Sequence, residues 1–304
     1  MPPAMPKSRS IPTTELERRL QEFWSTEQAF VETALRVHLC SVTNSSERLY
    51  EAMRHAVLAG GKRLRPILCL AANRSLGGGG HEVYSVAAAI EMVHTYSLIH
   101  DDLPCMDDDD QRRGHPTVHV AFDEATAVLA GDALQALAFQ ILAGNGGAKV
   151  VAVIAAAVGP SGMAGGQMAD LEAEGETATE ELVADIHRQK TGELVLASVL
   201  VGGLMAKAGD GDLSCLERYA LPLGLAFQIV DDILELTETA EKLGKPVGSD
   251  LKHKKMTYPA AVGLERAQAR AIELAAQAKS ALDGFSGDPT MLLALADFIV
   301  SRDR

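Results

Sequence analysis

The chain is short of aromatic residues, of positive charge and of cysteine, and each shortage narrows what it can be. Aromatic residues make up 4% of its 304 positions, with a single Trp. Ala and Leu dominate instead. Few stretches show the β-branched or aromatic alternation of strands, so the expected class is all-α. Lys and Arg number 28 against 41 Asp and Glu, a formal net charge of −13. That balance argues against nucleic acid as a partner. The four cysteines, Cys40, Cys69, Cys105 and Cys215, are scattered. They lack metal-ligand spacing, so free thiols in a reducing, cytoplasmic setting are expected. No apolar segment of signal-peptide length precedes the polar residues of the N-terminus. No uninterrupted apolar run is long enough to span a bilayer, because Val150–Val158 stops at Gly159 and Pro160. Stable membrane insertion is therefore not expected. Neither a Walker loop nor a nucleophilic triad is evident.

Hydrophobic residues reach 47%, enough for a sizeable core. Residues 1–13 hold four prolines and read as a disordered lead. From Thr14, read as an N-cap with Glu17 completing a capping box, the pattern turns helical. Residues 14–304 read as a single all-α domain, one large helical bundle around a central cavity. The patterns place helices over about 14–39, 47–59, 67–73, 82–101, 120–143, 148–172, 179–204, 212–237, 258–283 and 289–302. Gly162–Gly166 interrupts or kinks the sixth. Gly192 implies a kink beside Lys190 and Thr191, because glycine in a helix costs about 1 kcal/mol relative to alanine.

The chemistry is concentrated in residues 86–110, where an apolar helix runs into six carboxylates, Asp101, Asp102 and Asp107 to Asp110. His94, Ser97 and Asp101 recur at helical spacing and form a narrow polar stripe on an otherwise apolar helix. Such a stripe faces an internal polar cavity, or belongs to a core with a satisfied histidine. A second helix repeats the logic, with Gly224, Gln228, Asp231, Asp232 and Glu235 on one stripe. Rows of buried unpaired carboxylates are too costly to stand alone, and divalent cations are the natural remedy. Asp231 and Glu235 lie one turn apart and suit a shared ion. Asp101 and Asp107 would sit roughly 120° apart on an ideal helix, so the helix must bend or end there, and Pro104 is placed to cause it.

Basic groups complete the pattern. Gly60 and Gly61 can stop a helix and admit a ligand close to the backbone. Lys62 and Arg65 follow, three residues apart, and read either as a solvated basic turn or as one anion site. Arg112 and Arg113 form surface salt bridges or clamp diphosphates. The loop 237–257, with Lys245, Asp250, Lys252, Lys254 and Lys255, is long enough for a lid. Two carboxylate helices and separate basic groups in one cavity imply ionisation of a diphosphate ester inside an apolar bundle.

Asp101-Asp102-x-x-x-x-Asp107 followed by Arg112-Arg113-Gly114 resembles the first aspartate-rich motif of the trans-isoprenyl diphosphate synthases. Phe227-Gln228-x-x-Asp231-Asp232 resembles the second. Gly-Gly-Lys-Arg-Leu-Arg-Pro at 60–66, Gly165-Gly166-Gln167, Lys190-Thr191 and Gly244-Lys245 through Asp250 match in the same order. The resemblance covers about residues 17–303.

It implies a Mg²⁺-dependent head-to-tail condensation of isopentenyl diphosphate with dimethylallyl and geranyl diphosphates, in a homodimer. Three Mg²⁺ per site are implied, with Mn²⁺ able to substitute. By position, Asp101, Asp107 and Asp231 would ligate metal, assisted by Asp102, Asp232 and Glu235. Arg112, Lys190 and Lys245 would hold the allylic diphosphate; Gly61, Lys62, Arg65, His94 and Arg113 would hold isopentenyl diphosphate. Thr191 and Gln228 would stabilise the allylic cation, and Lys255 would close over the site. Glu235 departs from the family's usual Asp. Ser97 and Tyr96, the fourth and fifth residues before Asp101, occupy the positions that govern product length. An aromatic floor at Tyr96 implies mainly farnesyl diphosphate. A geranylgeranyl diphosphate synthase, a terpene cyclase and a non-catalytic prenyltransferase subunit are the alternatives.

Overall fold

The computed structural model describes residues 13–42, 46–237 and 256–302. Apart from a two-residue hairpin, the described residues are helices and turns. The first four helices are α1 (Thr13–Cys40), α2 (Glu47–Leu58), α3 (Leu64–Ser75) and α4 (Glu82–Asp101). Thr14 therefore lies inside α1 rather than capping it. The hairpin pairs β1 (Gln111–Arg112) with β2 (His115–Pro116). Then come α5 (Val118–Ala121), α6 (Glu124–Asn145), α7 (Gly147–Val158) and α8 (Met163–Glu172). The interruption expected at 162–166 is thus a break between helices. A π-helical turn, Arg188–Gly192, joins α9 (Glu180–His187) to α10 (Glu193–Met205). The long α11 (Asp210–Thr237) follows. The helix expected over 258–283 is divided at Gly263, φ 84°, into α12 (Tyr258–Val262) and α13 (Leu264–Ser280). Last is α14 (Thr290–Ser301).

The helix α4 is buried on most sides, as its apolar circumference demands. Val86, Ala87, Ile90, Val93 and Ile99 pack against α1, α3 and α6. A second core, with Leu68, Val199, Tyr219, Leu223 and Leu295, binds α3, α10, α11 and α14. Small residues let these helices approach. A Cβ on Gly202 of α10 would overlap the Cys69 carbonyl of α3.

By length and composition α6 and the stretch Gly147–Glu172 would each suffice to cross a membrane, contrary to the expectation from uninterrupted apolar runs. In α6, Ala127, Ala130, Leu134 and Ala138 are buried in the core that α4 shares. The bundle leaves a cavity of about 690 Å³ between α4 and α11, walled also by α8 and the π-helical turn.

Candidate active site

The polar stripe of α4 opens onto this cavity through His94, Ser97 and Asp101. Pro104 has no N–H to extend the helix, and the chain folds back in a tight turn. Within it the Asp107 N–H donates to the Asp101 carbonyl at 2.8 Å. The turn brings Asp107 beside Asp101, which an unbroken helix would not, and both line the cavity. From the facing helix, Gln228, Asp231, Asp232 and Glu235 line the same space. The two carboxylate groups predicted from sequence therefore meet. Asp102 is the exception. It is buried, does not line the large cavity, and accepts from Arg112 Nε at 2.6 Å. Burial pushes its pKa up, opposed by the Arg112 guanidinium.

Each carboxylate of α11 has a distinct setting. Asp232 accepts from Gln228 Nε2 at 3.1 Å and from the Tyr258 N–H at 2.7 Å. Asp231 pairs with Arg302 at 2.7 Å. Glu235 is buried in the wall. Among the described residues no three His, Cys, Asp or Glu side chains are gathered as a metal-ligand set. A divalent cation here would complete its shell with water and phosphate oxygens, which is how Mg²⁺ is usually held. All-oxygen donors on two facing helices fit such an ion.

The third wall is the π-helical turn, at the place where Gly192 implied a kink. It exists because glycines let backbones touch. A Cβ on Gly224 of α11 would lie 2.8 Å from Gly192 Cα, and one on Gly166 of α8 would overlap Lys190 N. The turn aims Lys190 and Thr191 into the cavity. Lys190 Nζ meets Asp170 at 2.6 Å, and the Thr191 hydroxyl donates to Gln228 Oε1 at 2.9 Å.

The basic end is built by strained backbone. Gly60, Gly61 and Arg63 have φ of 86°, 122° and 56°, and Arg113 has 54°. A side chain on Gly61 would meet the Arg113 guanidinium, 2.7 Å from Cζ. Trp24 Nε1–H donates to the Lys62 carbonyl and Gln28 Nε2 to that of Gly61, each at 3.0 Å, tying the turn to α1. The three adjacent basic residues then part company. Arg63 turns inward to Glu32 at 2.7 Å, Glu91 at 2.8 Å and the Val57 carbonyl. Lys62 and Arg65 turn toward the cavity and toward an adjoining pocket of about 350 Å³ that Gly61, His94 and Arg113 also line.

What surface His94 and Arg65 retain faces this space. Burial, with Arg65, Arg113, Arg112 and Arg63 nearby, holds His94 well below its ordinary pKa, so the imidazole is neutral. Among the described residues, the buried donors Arg65 Nε and Gln167 Nε2 find no acceptor. Cations and unsatisfied donors around one space suit a diphosphate.

Tyr96 and Ser97 line the cavity one turn below Asp101. Tyr96 is 8% exposed, and the Ser97 hydroxyl donates to the His94 carbonyl at 2.9 Å. Lys245 and Lys255, with the expected lid, lie outside the described residues.

Three participants lie outside the residues that the sequence motifs single out. Arg302 pairs with Asp231, donates to the Phe227 carbonyl at 2.7 Å and lies 3.9 Å above the Phe227 ring. Nothing links it to Asp231 in sequence. Glu91 anchors Arg63; it stands three residues before His94, on the same stripe, and that spacing was a usable signal. His187 lies 3.4 Å from Asp232 and is held neutral, its pKa pushed down by burial to about 3.

Residues 46–283 match the family model described as polyprenyl synthetase. A geranylgeranyl diphosphate synthase of Cyanophora paradoxa is 46% identical over 263 residues, covering 84% of this chain and 88% of that protein. The farnesyl diphosphate synthase of Escherichia coli (strain K12) is also 46% identical, over 266 residues, covering 84% and 89%. A geranyltransferase from Helicobacter pylori, solved in complex with magnesium and isoprenyl diphosphate, superposes with a TM-score of 0.82 at 33% identity, covering 96% of this chain and 98% of that one.

Proposed function

The chain belongs to the polyprenyl synthetase family of prenyltransferases, and on that premise we propose that it condenses isopentenyl diphosphate head to tail with dimethylallyl and geranyl diphosphates, giving mainly farnesyl diphosphate. The observation that carries this reading is that the carboxylate ends of α4 and α11 face one another across a cavity whose walls also hold Lys62, Arg65 and Lys190.

The residues take roles by position. Asp101, Asp107 and Asp231 would hold Mg²⁺, with Asp102, Asp232 and Glu235 in support. Ions held there would offset the diphosphate charge and so make it a better leaving group. Arg112 and Lys190 hold the allylic diphosphate, and Lys245 joins them. Gly61, Lys62, Arg65, Arg113 and the neutral His94 hold isopentenyl diphosphate, with Arg65 Nε supplying an unsatisfied donor. When the allylic C–O bond breaks, the Thr191 and Gln228 oxygens face the developing cation. The isopentenyl double bond attacks it, and the departing diphosphate takes the proton lost afterwards. Tyr96 and Ser97 stop the growing tail. Lys255 closes over the site.

The reading includes one domain from residue 14 to the C-terminus, a cytoplasmic setting that suits four unpaired thiols, and a homodimer. Support for the dimer comes from the outer faces of α6 and α7, where Val128 (41% exposed), Leu129 (57%), Ala152 and Ala155 lie open. Incubating the purified protein with Mg²⁺, isopentenyl diphosphate and each allylic primer tests the reading. Mainly C15 product supports it. Mainly C20 product would make this a geranylgeranyl diphosphate synthase, and failure to condense with any primer would defeat the prenyl-transfer assignment.

A further inference from the structure

The floor under the cavity is braced from a second helix. The Tyr96 ring stands edge-on to His100, 5.9 Å between centroids at 73°. His100 lines the cavity one turn above Tyr96 and reaches across to α6, where its Nε2–H donates to the Val128 carbonyl at 3.1 Å. It can reach that carbonyl because residue 131 of α6 is glycine. A Cβ there would overlap the imidazole at Nε2 and lie 2.8 Å from Cε1. Gly131 is thus a notch that seats His100. The chain of contact runs from the α6 backbone through His100 to the ring beneath the growing tail.

We infer that Gly131 and His100 are specificity-determining positions: the notch in α6 sets the position of the Tyr96 ring, and so the tail length at which elongation stops. The inference rests on the reading of Tyr96 as the floor. The opposite directions of two substitutions follow from it. Alanine at 131 evicts His100 from the notch, and the free volume beside the ring is the cavity itself. The imidazole then fills space above Tyr96, and products shorten. Alanine at 100 removes the edge contact that props the ring, and products lengthen.

Wild type, Tyr96→Ala, Gly131→Ala and His100→Ala are supplied with Mg²⁺, isopentenyl diphosphate and geranyl or dimethylallyl diphosphate, and product lengths are read as ratios, whatever the total rate. Gly131→Ala gains helix propensity, which favours a folded protein. Tyr96→Ala should raise the C20:C15 ratio, confirming the floor. Gly131→Ala should raise C10 relative to C15, and His100→Ala should raise C20 relative to C15, each by about tenfold, the scale of selectivity for small changes in an apolar pocket. Unchanged lengths in Tyr96→Ala would overturn the floor and the brace together. Longer products in Tyr96→Ala, with wild-type ratios in both Gly131→Ala and His100→Ala, would overturn the brace alone.

Discussion

Gly166→Ala tests whether the π-helical turn is the device that positions Lys190 and Thr191. Gly166 lies on α8 with its Cα turned to the backbone of residues 189 and 190. The added methyl would overlap Lys190 N and lie 2.7 Å from Lys190 Cα and 2.8 Å from Gln189 C. Carbon atoms pack comfortably at about 3.5–4.0 Å, so the two backbones must part by about 1 Å. No side chain can absorb this by rotating. Overpacking of this kind costs about 1–3 kcal/mol. The displacement falls on the segment that carries Lys190 and Thr191, and a misplacement of about 1 Å can cost roughly 100-fold in rate. A thermal melt and steady-state kinetics with geranyl diphosphate separate the two effects. The variant should melt a few degrees lower and lose roughly two orders of magnitude in kcat, with the KM for isopentenyl diphosphate little changed because Lys62 and Arg65 lie elsewhere. Wild-type turnover, with or without lower stability, would refute the positioning role.

Arg302→Gln should strengthen metal binding. Arg302 competes for Asp231, so its removal should lower the Mg²⁺ concentration needed to stabilise the protein in calorimetry; an unchanged Mg²⁺ midpoint counts against Asp231 as a ligand. Arg63→Met should cost about 3–5 kcal/mol in denaturant unfolding, because it strands the buried Glu91 carboxylate, with Arg113 at 3.7 Å a partial substitute; a loss below about 1 kcal/mol, the range of an exposed pair, would contradict this. If the proposed homodimer uses the α6 face, Leu129→Glu should yield a smaller species than wild type in light scattering while leaving the helical spectrum intact; an unchanged size excludes that face. In native protein at pH 8, thiol reagents should label the exposed Cys40 and Cys105, while Cys69, its pKa pushed up to about 12 by burial, stays unreacted until the protein unfolds. Labelling of Cys69 at the rate of Cys40 would contradict its burial.

Much of the site is legible in sequence because two of its walls are helices, and helical spacing converts directly into shared faces. The stripes His94–Ser97–Asp101 and Gln228–Asp231–Asp232–Glu235 are of this kind. The break at Pro104 and the kink beside Gly192 follow from what proline and glycine do to a hydrogen-bond ladder. What remains hidden depends on contacts between distant segments. Lys62, Arg63 and Arg65 look alike in sequence, and only the packing of α1 and α4 shows that Arg63 is spent on Glu32 and Glu91. Arg302 reaches Asp231 because α14 ends beside α11, which no periodicity reveals. Asp102 reads like its neighbour Asp101, yet the helix end turns it toward Arg112 and away from the large cavity. Gly131 gives no signal, because its meaning lies in the His100 ring that fills the space where a side chain would be.

A single-turnover reaction of the wild-type protein with geranyl diphosphate and labelled isopentenyl diphosphate, with Mg²⁺ and again with excess chelator, tests the central claim most directly. The account predicts a C15 diphosphate and one released diphosphate with Mg²⁺, and neither in chelator. Equal C15 formation in chelator, or none with Mg²⁺, would contradict it.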